Sequence, residues 1–145
     1  MPANTSPIFP LTPKISWAGL ATANTAKDGT GSAAVLFTAG ANGSRIDQIK
    51  VRPIGTNVAT VLRLFINNGS DAEVATNNVL VHEVTVPACT LSEVAALADL
   101  DVLINKGNYD VFVPIPFLPA GYKILATIGT TIAAGIKVTV FGGDY

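Results

Sequence analysis

One histidine, one cysteine and ten acidic residues carry most of the reactive chemistry in this chain of 145 residues. His82 lies in VLVHEVTV, residues 79–86. A Ser-His-Asp relay needs a single histidine, but no G-x-S-x-G stretch supplies an activated serine. Cys89 follows closely without the local signature of a cysteine nucleophile. Its default role is that of a small buried hydrophobe. Asp99 and Asp101 are near enough in sequence to share a face, as the carboxylate pair of a glycosidase must. In so acid-poor a chain they read instead as loop or helix-end residues. The loop NNGSDAEVATNN, residues 67–78, offers Asp71 and Glu73 but not the spacing of a calcium loop. Zinc needs more Cys and His than the chain has.

A glycine-rich stretch, FTAGANGSRIDQIKV (37–51), resembles a phosphate cradle at first sight. A P-loop requires G-x-x-x-x-G-K-[ST] with a helix behind it. Gly40 and Gly43 are out of register, no lysine follows, and RIDQIKV is strand-like. Asn42-Gly43 between two strand patterns is instead a strong hairpin signal. We therefore expect no catalytic centre, cofactor or metal.

The elements behind these residues are β in pattern. Strands are expected at 15–22, 33–38, 45–52, 58–67, 79–86, 110–117, 122–128 and 136–141, with turn formers between them. In the third, Ile49 and Val51 share a face while Ile46 falls on the other, which suggests a bulge near Asp47. In the fourth, Val58, Leu62, Leu64 and Ile66 fall on one face, opposite Arg63 and Asn67. Pro114 and Pro116 put the 110–117 strand at a sheet edge. TLSEVAALAD (90–99) is the one helical pattern, with Thr90 and Glu93 spaced as a capping box, and VAALADLDVLI (94–104) can alternatively be read as β. Asp28-Gly29 and Pro119–Gly121 mark turns.

Residues 1–14 carry four prolines and no regular pattern, so an extended arm is expected there, followed by a domain over 15–145. The arm also holds Ile8, Phe9 and Leu11, with Trp17 at its root. A tail with no role in contacts seldom keeps such residues together, so these four are the candidate protein-contact residues. The fold expectation is a single all-β domain: an antiparallel, jelly-roll-like sandwich of about eight strands.

Charged residues make up only 13% of the chain, against about 25% in ordinary soluble domains. Little charge keeps copies apart, which favours a homo-oligomer. The formal net charge of −1 provides no basic field for nucleic acid. Arg45, Lys50 and Arg52 form the one local cluster of cations, read as a solvated strand edge. A lone cysteine excludes an intrachain disulfide. The first residues lack the pattern of a secretory signal, and no run is long and apolar enough for a membrane helix.

PIFPLTPKISW, ATANTAKDGTG, FTAGANGSRIDQIKV, LPAGYKI and the terminal VFGGDY together resemble small virion proteins encoded by tailed bacteriophages and prophages. The resemblance covers most of the chain and is weakest over 72–110. It implies a structural part of the virion, assembled in the bacterial host cytoplasm, whose partners are the major capsid protein or other virion proteins. It carries no site residues. A head decoration (cement) protein, with a trimer favoured, is the leading expectation. A tail, neck or fibre component is the alternative, and a carbohydrate-binding module using Trp17, Tyr109, Tyr122 or Tyr145 is a third.

Overall fold

The computed structural model describes residues 9–104 and 117–145, which form one all-β domain. The strands are β1 (Thr12–Leu20), β2 (Ala34–Thr38), β3 (Ser44–Pro53), β4 (Thr60–Asn67), β5 (Asn78–Val86), β6 (Leu100–Ile104), β7 (Phe117–Leu118), β8 (Lys123–Ile128) and β9 (Ile136–Asp144). One sheet runs β1-β9-β3-β6, with β7 beside the start of β3, and the other runs β2-β8-β4-β5. All described pairings are antiparallel. With the two-residue β7 set aside, this strand order is the wrapping of a jelly roll. Ile8 and most of the expected 110–117 strand, with Pro114 and Pro116, lie outside the described residues.

The core forms where the two inner faces meet. From the first sheet come Leu20, Ile46, Ile49, Val51, Ile136, Val138 and Val140; from the second, Leu36, Phe37, Leu62, Leu64, Ile124, Ala126 and Ile128. The expected bulge is present, as the pairing of β3 with β9 shifts between Ile46 and Gln48. The extra residue, Asp47, lets Ile46 and Ile49 turn inward together, and both are buried. Opposite the bulge stands Gly142, where any Cβ would collide with the Arg45 carbonyl.

Several expectations change in three dimensions. Asn42-Gly43 does form a turn, closed by the Gly43 N–H on the Gly40 carbonyl at 3.1 Å. It is not a hairpin, because β2 and β3 lie in opposite sheets. Only Gly43 takes a positive φ, +89°, and Asn42 does not. The strand expected at 15–22 runs from Thr12 to Leu20, so part of the expected arm is sheet. Pro13 is tolerated because β1 is an edge strand. Val58 falls before β4 and is exposed.

The helix expected at 90–99 does not form; the segment is irregular. It must carry the chain from β5 in one sheet to β6 in the other, and its groups are held along the way. The Leu91 N–H donates to Thr56 Oγ1 at 2.9 Å, and the Val94 N–H to Ser92 Oγ at 3.2 Å. Asp99 is drawn to Lys50 and Arg52. Tertiary anchors outweigh a helix propensity worth only tenths of a kcal/mol per residue.

The outer face of β4 is also buried. Arg63, Phe65 and Asn67 alternate there, and the connection from 21 to 33 passes over them. Its fixed points are the Asn24 carbonyl on Arg63, Gly29 against Asn78, and the Gly31 N–H on Glu73. Asp28 caps the turn at its centre through the Thr30 N–H and hydroxyl.

The bulge makes two deletions unequal. Removing Asp47 leaves Ile46, Gln48 and Ile49 in plain in-out-in alternation, so urea unfolding should shift by no more than about 1 kcal/mol. Removing Lys50 sets Ile49 and Val51 on opposite faces and should cost at least about 2 kcal/mol. Equal losses in the two would refute the role given to Asp47.

Candidate functional site

Alternation along β1 divides its residues cleanly. Lys14, Ser16, Ala18 and Leu20 turn toward the other sheet, while Pro13, Ile15, Trp17 and Gly19 face outward. Ile15 is 58% exposed and Trp17 64%. Just before the strand, Phe9 is 65% and Leu11 82% exposed. Register then extends this surface across the sheet. Ile15 stands opposite Phe141, Trp17 opposite Thr139, and Pro13 opposite Gly143. Beyond β9, Arg45 pairs with Phe117, which is 64% exposed. The result is an apolar half-face, crossed between Gly143 and Phe117 by Arg45 with its partner Asp47, and rimmed by Gln48, Lys50, Arg52 and Lys137. Elsewhere Val35 and Val79 are exposed singly, while the exposed Ile54 and Leu91 line a separate groove with Pro53 and Leu97.

Of the four candidate contact residues, Trp17 is exposed on this face, Phe9 and Leu11 are exposed just before β1, and Ile8 lies outside the described residues. Ile15, Phe117 and Phe141 were missed. The spacing Ile15-x-Trp17 carried the signal for the first. The other two join the face only through strand register.

Polar contacts hold this surface in place. The Leu11 N–H donates to the Asp144 carbonyl at 2.8 Å, and Pro10 fills the space above Gly143. Beneath, the Asp144 carboxylate accepts from the Lys14 ammonium at 3.0 Å, from the Ser44 hydroxyl, and from the Gly40 N–H at 3.3 Å. Lys14 also donates to the Thr38 carbonyl and sits 4.8 Å from the centre of the Phe37 ring. The Ser16 hydroxyl donates to the Leu36 carbonyl. These contacts close the edge between β1 and β2, which belong to different sheets.

Residues considered for chemistry are placed otherwise. His82 sits opposite Leu64 within β5, and Cys89 lies beyond that strand, bridged to Asn57. The strand from His82 to Val86 alone spans about 13 Å, so the two do not form a pair. The Cys89 thiol lies 3.2 Å from the Gly55 carbonyl. Asp99 is ion-paired with Lys50 and Arg52, each at 3.4 Å, and Asp101 accepts from Gln48 at 2.8 Å. The expected cationic edge is therefore mid-sheet and paired, with Arg45 on Asp47 at 2.7 Å. Asp71 and Glu73 accept backbone N–H groups from Glu73 and Gly31. Among the described residues, no three His, Cys, Asp or Glu side chains gather as metal ligands, and no helix is long and apolar enough to cross a membrane. Tyr122 packs against the core rather than joining Trp17 in an aromatic platform, and Tyr109 lies outside the described residues.

Asp144 should give the fold an acid limb. Burial pushes its carboxyl up, but the bonds from Ser44 and Lys14, the charge of Lys14 and the Gly40 N–H together hold it below its ordinary value. A lowered folded value means that stability is fully present above the unfolded value and is lost as pH falls through the folded one. Melting temperature should therefore drop more steeply below about pH 4 in the wild type than in Asp144→Asn. Parallel acid limbs would show that the carboxylate does not couple to folding.

The chain matches no protein-family model, no curated protein and no solved structure.

Proposed function

We propose that this chain is a structural component of a tailed-phage virion, a head decoration protein that binds the major capsid protein by apolar contact. The observation that carries the reading is the exposed apolar surface of Phe9 and Leu11, just before the edge strand β1, continued by Ile15 and Trp17 on that strand. Monomeric proteins seldom leave such a surface open to water. Ile15 and Trp17 are held by the pairing of β1, and Leu11 is tied to the sheet by its N–H on the Asp144 carbonyl at 2.8 Å.

Two further points support the reading. The sequence resembles small virion proteins over most of its length. Jelly rolls also serve in viral capsids, although they serve equally in lectins, so the fold is an analogy only. Phe9 and Leu11 extend the contact beyond the sheet edge without enlarging the core.

Deleting residues 1–11 removes Phe9, Pro10 and Leu11 but leaves β1 whole. The truncated chain should keep its far-UV spectrum and cooperative melting. Its co-sedimentation with heads of the phage that encodes it should fall at least tenfold, equivalent to about 1.4 kcal/mol or more. Undiminished binding to heads would exclude the proposed contact. Electron microscopy of labelled particles should find the chain on the head; density confined to the neck or tail would favour an adaptor there.

A further inference from the structure

We propose that the outer face of the first sheet is where two copies of this chain meet, face to face, around Ile15, Trp17, Phe117 and Phe141. The proposal rests on reading this apolar surface as a protein contact, and it names a second copy as the occupant.

The area is that of a small interface. Trp17 and Phe117 each leave about two-thirds of their surface in water. Aromatic side chains bury about 150–250 Å² each, so these two offer roughly 200–330 Å². Ile15, Pro13 and the half-buried Phe141 add to it, on a face smaller than the roughly 800 Å² that each partner contributes to a standard interface.

The layout matches a protein interface, with aromatic residues at the centre and charge at the rim. Charge balance favours a like partner. The one cation within Phe9–Trp17, Lys14, is turned away from this face and paired with Asp144. On this face Arg45 pairs with Asp47, Lys50 and Arg52 share Asp99, Asp101 stands opposite Lys50, and Lys137 adds a further cation at the rim. The whole chain has a net charge of only −1. Two such faces therefore meet with little net charge on either. A two-fold axis through the apolar half sets apolar on apolar and leaves both charged halves in solvent.

Trp17 is the chain's only tryptophan, so its emission reports on this face alone. The purified full chain at micromolar concentration should sediment above monomer mass, with blue-shifted Trp17 emission that moves red on dilution. Ile15→Glu and Phe117→Glu, both at exposed positions, should melt like the wild type yet sediment as monomers with red emission. A monomeric wild type with solvent-exposed Trp17 would overturn the proposal. So would an oligomer that both variants keep. Head binding is a separate readout. A monomer that still binds heads through Phe9 and Leu11 sinks this inference and leaves the virion role standing. A face-dependent oligomer that ignores heads does the reverse.

Discussion

Pairing of the first strand with the last is the constraint from which the rest of the molecule follows. Thr12–Leu20 runs antiparallel to Ile136–Asp144 without a break in register. β9 in turn pairs with β3, so the first and last described strands are built into one sheet. With these two strands paired, the intervening chain crosses repeatedly between sheets, and among the described strands only β4 and β5 are neighbours in sequence that pair as a hairpin. Most contacts therefore join residues far apart in sequence. Such topologies are slow to fold, because loop closure must precede the reward.

The same pairing gives β1 its two characters. Its inner side chains close the gap to β2 through Ser16 and Lys14, and its outer ones stand in water. An edge strand invites unwanted association. Here the edge is guarded by Pro13 and by the cross-sheet hydrogen bonds, while the face remains open. Protection of the backbone edge combined with exposure of the side chains favours binding through a surface rather than by strand addition.

Other parts of the structure show how backbone demands settle side-chain roles. The 21–33 connection lies across Arg63 and Phe65, so a strand that would otherwise have a wet outer face is buried on both sides. Arg63 is tolerated there because Glu83 pairs with it at 2.7 Å and the Asn24 carbonyl accepts from it. A buried cation without those partners would be strongly destabilising. The acids that suggested chemistry in the sequence satisfy cations or turn backbones instead.

The sequence by itself determined the fold class, the bulge and the inward phase of β3 and of Leu62 and Leu64 in β4, because each is written in short-range alternation. Ile46, Ile49 and Val51 announce their phase within a few residues, and water exclusion enforces it. It also marked Phe9, Leu11 and Trp17, since large apolar residues amid prolines are conspicuous. Tertiary structure alone decided which strands pair, and so three other outcomes. Asn42-Gly43 became a crossing between sheets, although its turn chemistry is the same for either path. TLSEVAALAD lost its helix to anchors at Thr56, Lys50 and Arg52, partners distant in sequence. Phe117 and Phe141 came to lie on the same face as Trp17 because register, which depends on the sum of burial over all the described strands, set them there.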